Sequence, residues 1–271
     1  MDGYVKFTKD RDDNMSEKAR LGDQHEILLH AMRGRAILAP VDLSRPSLRI
    51  LDSGAADGRW LTDLRSSIGG DSHEYVGTDI DPSLYPSSPP EDVYFCNQSI
   101  RKPFPDEWQG TFDVVHQRLV MAAVAPPDST ITSATSNLAG LLRPGGWLQL
   151  VELDNECVND NGPAMRRLLR YHQQNSAAGG LGPNLSVHLT RAMQDAGLKG
   201  VEERSVDVMY GARNKGGRDL RMKSMMSLYG AVGPVLAQAK RTYIYLSHCV
   251  GMNNDPELIN KYTSSGNSKE V

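Results

Sequence analysis

The chain has 271 residues, with 30 Lys and Arg against 33 Asp and Glu, and a formal charge of −3. That balance excludes bulk attraction to nucleic acid or to an anionic membrane, and a hydrophobic content of 39% excludes a mainly disordered chain. Cys96, Cys157 and Cys249 are far apart, odd in number and without a CxxC, so neither a disulfide framework nor a cysteine-rich zinc site is expected. The opening MDGYVKFTKDRDDN is charged and lacks the apolar stretch of a secretory signal, and no apolar run approaches a membrane span. The expectation is a cytoplasmic globular protein, monomer or homodimer, with neither a nucleic-acid nor a membrane partner.

In chain order, Ser16–Ala39 reads as a helix, with Leu21, Ile27, Leu28, Ala31, Met32 and Leu38 near helical spacing, Ser16 able to cap it and Pro40 closing it. The period then changes. Short β-rich runs follow at Ser47–Asp52, Glu74–Asp79, Val93–Cys96, Thr111–His116 and Gly146–Leu153. Between them lie helical stretches at Trp60–Ile68, ended by Gly69-Gly70, and at Ser129–Leu142, followed by an Arg143-Pro144-Gly145-Gly146 turn. After Asp154 the pattern gives helices at Ala164–Asn175, Ser186–Ala196 and Asp219–Gln238, and a strand at Val201–Tyr210. Helices alternating with short apolar strands predict an α/β fold with a doubly wound, mostly parallel sheet. The expected division is a helical cap over residues 1–46, a ligand-binding core over 47–154 and a lid with the rest of the fold over 155–271.

The most informative segment is Ile50-Leu51-Asp52-Ser53-Gly54-Ala55-Ala56-Asp57-Gly58. A strand ends at Asp52, small residues follow, and a helix begins near Arg59, so a backbone of unpaired N–H groups is offered to a ligand. The dinucleotide spacing G-x-G-x-x-G fails, because Ala56 and Arg59 stand at its second and third glycines, and the phosphate-loop spacing fails as well. Acidic-x-Gly-x-small-x-Gly does fit, through Asp52, Gly54, Ala56 and Gly58. Asp79, ending the next strand, stands where doubly wound folds hold a ribose; the alternative is a turn residue in Asp79-Ile80-Asp81-Pro82. After the third strand, Gln98 or Ser99 can bond an adenine amino group, and Ile80 and Ile100 can sandwich the ring.

The loop resembles the first motif of class I methyltransferases that use S-adenosylmethionine. Taken with Arg20-Leu21, Gln24-His25, LDSGAADGRWLTDL, GTDID, QSI-x-x-PFP-x-EW, FDVVHQRL, LRPGGWLQLVELD and the DAGL turn, the chain resembles the fungal secondary-metabolite methyltransferases that include the gliotoxin-cluster N-methyltransferase. More distantly it resembles the fungal methyltransferase-like regulator that works with velvet proteins. The likeness covers roughly the first four-fifths of the chain. It implies a Rossmann-like class I fold, S-adenosylmethionine as cofactor, and transfer of methyl to O or N of a small natural-product acceptor. It also implies contact with the cofactor through Asp52, Gly54, Ala55, Ala56, Gly58, Asp79, Ile80, Gln98, Ser99, Ile100, His116 and Arg20. Two departures stand out. Ala55-Ala56-Asp57 replaces a more glycine-rich loop, and the polar end TSSGNSKEV cannot be the usual seventh strand, so either Tyr243–Val250 supplies it or it is missing.

Methyl transfer from a sulfonium is an in-line displacement, so alignment and exclusion of water are the main tasks. A base helps if the acceptor must lose a proton. His116, closing the fourth strand, and Glu152, ending the fifth, are the catalytic candidates, facing an acceptor between them. The alternatives are a structural histidine lining the methionine end and a carboxylate paired with Arg118 or the first helix. Tyr171, His172 and His188 are placed at the acceptor, in or beside the lid. No metal-ligand spacing is present, so no metal is expected. The rival readings are a relative that binds the cofactor but acts as a cyclase or isomerase, and a non-catalytic regulator.

Overall fold

The computed structural model describes residues 14–69, 73–124, 126–156 and 161–238. Its framework is a five-stranded, wholly parallel sheet. The strands are β1 (Arg49–Ser53), β2 (Glu74–Asp79), β3 (Val93–Asn97), β4 (Phe112–Arg118) and β5 (Leu142–Val151), in the spatial order β3-β2-β1-β4-β5. The order reverses between β1 and β4. In open parallel sheets the crevice at such a reversal, outside the carboxyl ends of the strands, is where ligands bind.

Among the described residues six α-helices accompany the sheet: α1 (Asn14–Ala31), α2 (Arg59–Ile68), α3 (Ile131–Ala139), α4 (Pro163–Ala178), α5 (Leu189–Asp195) and α6 (Gly217–Gln238). The strand residues alternate between two apolar layers. Ile50, Tyr75 and Val114 pack with Trp60, Leu61 and Leu64 of α2. Leu51, Val76 and Val115 pack on the other face with Ile131, Ala134 and Leu138 of α3 and with Leu185 and Ala192. Burial on both faces explains why β1 reads as a near-continuous apolar run rather than as an alternating one. Helix α1 crosses toward α2, where the Arg59 guanidinium lies against Gly22, and also packs along α6. Among the described residues no helix is long and apolar enough to cross a membrane.

Several sequence expectations change. Helix α1 begins at Asn14, so Ser16 lies within it, and it stops at Ala31 rather than Ala39. The stop is a double carbonyl cap. The Gly34 N–H donates to the Leu29 carbonyl at 2.8 Å and the Arg33 N–H to that of His30 at 3.0 Å, with Arg33 and Gly34 both left-handed. Helix α3 is shorter at both ends than Ser129–Leu142. Thr130 caps it through a reciprocal pair with Ser133, and Leu142 already belongs to β5. The Arg143–Gly146 turn is a bulge inside β5, where the register jumps between Phe112↔Leu142 and Val114↔Trp147. Val201–Tyr210 forms no strand; Val206 and Met209 stay 40% and 43% exposed. A β-rich composition fits a pleated surface but supplies no ladder without a neighbour. Tyr243–Val250, the expected seventh strand, lies outside the described residues.

Candidate active site

The glycine loop hangs from the end of β2. The N–H groups of Gly54 and Ala55 donate to the Thr78 carbonyl at 2.7 and 2.9 Å, and that of Gly58 to the Ala55 carbonyl at 2.8 Å. Three of its five residues are left-handed: Gly54 (φ 80°), Ala56 (φ 48°) and Gly58 (φ 73°). Gly54 is required twice over, since a Cβ there would lie 2.3 Å from Val120 Cγ2. Gly58 caps α2 with no side-chain bond, over the Phe95 ring, which a Cβ would meet at 2.3 Å. The first N–H groups of α2 therefore open on the loop with the positive end of the helix dipole behind them. Ala56 holds a conformation that costs a non-glycine residue about 1–2 kcal/mol.

Asp79 explains how that strain is held. Its carboxylate accepts the Ala56 N–H at 2.9 Å, and the N–H groups of Ile80 and Asp81 at 2.7 and 3.1 Å. Burial pushes its carboxyl up, and these three donors oppose the shift. Tyr85, which sequence reasoning passed over, braces the same strand end. Its hydroxyl accepts the Asp79 N–H at 2.9 Å and donates to the Cys96 carbonyl at 2.7 Å. Its only sequence signal is an aromatic residue in the turn after Asp81-Pro82.

Beyond β3, the Gln98 amide nitrogen is engaged with the Pro103 carbonyl at 2.9 Å, which leaves its oxygen as the acceptor an adenine amino group would need. The Ser99 hydroxyl accepts the Arg101 N–H at 3.3 Å. Ile80 is partly exposed at the strand end, whereas Ile100 is packed into the core with Leu51 and Phe104. Only Ile80 of the expected sandwich stands at the surface.

The two catalytic candidates have different partners. His116 does not close β4, because Gln117 and Arg118 continue it. Its ring is 1% exposed and lies flat on Trp60, with centroids 3.9 Å apart and planes at 2°. Nδ1 donates to the Asp52 carboxylate at 2.7 Å. Burial holds the imidazole below its ordinary value, against the pull of Asp52. Asp52, expected at the cofactor, is thus spent on His116. Glu152 lies one residue past the end of β5, three residues after Gln149, the Cα partner of His116. One of its oxygens accepts the N–H groups of Val120 and Met121 at 3.0 and 2.8 Å. Burial pushes its carboxyl up to about 7, against those bonds. His116 and Glu152 share no described contact: the first is held by Asp52 and Trp60, the second by the Val120 and Met121 backbone.

Arg118 is not the partner of Glu152. Its guanidinium donates to His25 Nδ1 at 3.2 Å, and His25 Nε2 meets Asp63 at 2.8 Å. Arginine has no lone pair to offer, so Nδ1 is the acceptor and His25 is neutral with its proton on Nε2. Burial, then Arg118, push the imidazole down, in agreement. Arg20 donates to Glu17 through Nε at 3.0 Å and Nη2 at 2.7 Å and packs against Gly230 of α6. Tyr171 and His172 are partly buried on α4, with burial pushing the His172 imidazole down. His188 is exposed beside the Gly182 turn. No described contact brings these three to His116 or Glu152.

A left-handed glycine loop at the reversal of a parallel sheet, facing an acidic residue at the next strand end, is shared by several nucleotide-binding folds. Residues 24–203 match the family described as "Methyltransferase domain". The chain belongs to this methyltransferase family. The N-methyltransferase sirN of Leptosphaeria maculans is 40% identical over 214 residues, covering 78% of this chain and 73% of that protein. The methyltransferase psoC of Aspergillus fumigatus is 33% identical over 249 residues, covering 89% and 86%. Both relatives are fungal, as the motif likeness implied, and this methyltransferase shares with them most of its length. A chain of the solved complex of the Haloferax volcanii Trm112 methyltransferase activator with a methyltransferase is similar in fold, with a TM-score of 0.50 at 18% identity, covering 81% of this chain and 90% of that one.

Proposed function

We propose that this methyltransferase transfers a methyl group from S-adenosylmethionine to a nitrogen of a small natural-product acceptor. The observation that carries the cofactor is the loop Gly54–Gly58 tied to Asp79 by the Ala56 N–H. The residues present fit the group chemically. Open N–H donors and a helix N-terminus face the loop, the Asp79 Oδ2 keeps a lone pair for a ribose hydroxyl while Oδ1 is filled by two N–H groups, and the Gln98 oxygen or Ser99 can accept from an adenine amino group beside Ile80. Nitrogen as the methylated atom is supported by the name of sirN.

Bound there, the group would supply an electrophilic methyl and a sulfur leaving group. The chain's part is to hold the donor, orient the acceptor and keep water away. Glu152, with its carboxyl near neutrality, is the group suited to take the proton released by an amine or amide. Helix α1 meets the start of α2 through Gly22 and Arg59 and the end of β4 through His25 and Arg118, and Tyr171 and His172 of α4 are the residues we assign to the acceptor side. His116 acts through Asp52 and Trp60, as a positioning residue.

Calorimetric titration with S-adenosylhomocysteine tests the cofactor reading. Asp79→Ala should lower affinity roughly 10- to 100-fold, the effect of losing a charge-assisted hydrogen bond. Unchanged affinity refutes the ribose role. Incubation of the protein with deuteromethyl-labelled cofactor and an extract of fungal small molecules should give a labelled N-methyl product by mass spectrometry. A label found only on oxygen or carbon refutes the nitrogen assignment.

A further inference from the structure

Among the described residues, Arg118 is a partly buried cation with no ion pair. Its position follows from the register. Ser53, the last residue of β1, pairs with Gln117, so Arg118 is the first residue of β4 beyond the end of β1, beside Gly54. Its one hydrogen-bond partner among the described residues is neutral His25, and it makes no ion pair there. The two carboxylates whose charge acts on it each accept a hydrogen bond from another residue. Asp52 receives the His116 Nδ1 proton at 2.7 Å, and Asp57 accepts the Arg59 N–H at 3.2 Å. A guanidinium carries five donors in a planar fork, and burying such a charge unpaired costs several kcal/mol. The chain also invests in holding it: His25 is 1% exposed, and its tautomer is fixed from the far side by Asp63.

We infer that Arg118, held by His25, is the anchor for a carboxylate at the loop, and that this carboxylate is the one on the amino-acid end of the methyl donor. The fork matches a carboxylate in two parallel bonds. It stands at the end of β4, with β1 and β2 between it and Asn97–Ile100 where the adenine is assigned, so a ligand reaching from Asp79 across Gly54 presents its other end here. That end of the donor also bears an ammonium, and Asp57 lies in the same loop. The inference rests on the cofactor reading above; a carboxylate on the acceptor is the competing source.

The test compares two ligands by calorimetry. S-adenosylhomocysteine carries the amino-acid end, and 5′-methylthioadenosine keeps the adenosine and thioether but lacks it. Wild type should bind the first more tightly. Arg118→Gln should lose roughly 10- to 100-fold toward S-adenosylhomocysteine and stay within about twofold toward 5′-methylthioadenosine. Retained binding of the shorter ligand shows that the loop is intact. Equal losses for both, or none for S-adenosylhomocysteine, overturn the assignment, and the second result leaves the acceptor as the source of the carboxylate. If Arg118→Gln does not fold, Arg118→Lys replaces it. There the loss of the fork should cost several-fold toward S-adenosylhomocysteine alone, and wild-type affinities for both ligands overturn the inference. A wild-type protein that binds neither ligand refutes the cofactor reading itself, before any variant is made.

Discussion

Gly54→Ala probes why the loop needs a glycine at its first turn. The substitution meets two separate penalties. At φ 80° an alanine is in the left-handed region, at about 1–2 kcal/mol. Its Cβ would also lie 2.3 Å from Val120 Cγ2, and overpacking of this kind costs about 1–3 kcal/mol. Val120 cannot easily withdraw, because it is β-branched and its N–H is held by Glu152 at 3.0 Å. The sum is about 2–5 kcal/mol. At about 2–4 °C per kcal/mol for a domain of this size, the melting temperature should fall by about 4–20 °C. Gly145→Ala is the control: its φ is 82°, but nothing lies within 4 Å of the new methyl, so only the first penalty applies and the fall should be about 2–8 °C. Differential scanning fluorimetry of both variants gives the comparison. Adding Val120→Ala to Gly54→Ala should cost less than Val120→Ala costs in wild type, with a coupling of about 0.5–3 kcal/mol. Equal melting temperatures for the two glycine variants, or no coupling to Val120, would refute the close approach.

Two other variants test the groups once paired as catalysts. Glu152 is raised in the folded state from 4.5 to about 7, so its contribution to stability is fully present below pH 4.5 and is lost as pH rises through 7. Glu152→Gln should flatten that decline in urea denaturation run across the same window; an unchanged slope places the titration on another residue. His116→Ala removes the partner of the Asp52 carboxylate, whose side chain is 5% exposed, and should destabilise by about 3–5 kcal/mol in the same assay. Unaltered stability with a roughly 100-fold or larger loss of rate would instead return His116 to the role of general base.

The sequence by itself determined the elements that depend on local pattern. The five strands and the glycine loop were legible because apolar runs, small residues and chain punctuation act over a few positions, and Asp79 followed from its place at a strand end. The ends of α1 and α3 were less legible, since Arg33-Gly34 and Thr130–Ser133 stop and start helices through bonds that periodicity does not register. Tertiary structure alone decided the partners. His116 and Asp52 are 64 residues apart, and Arg118 and His25 are 93 apart. Their pairing is created by the order of the strands and by the path of α1 over the sheet. The partners of Glu152, the Val120 and Met121 N–H groups, come from the chain that leaves β4 and were equally invisible in the sequence. Val201–Tyr210 shows the same limit from the other side: a run of residues suited to a strand becomes one only where another chain segment offers it a ladder.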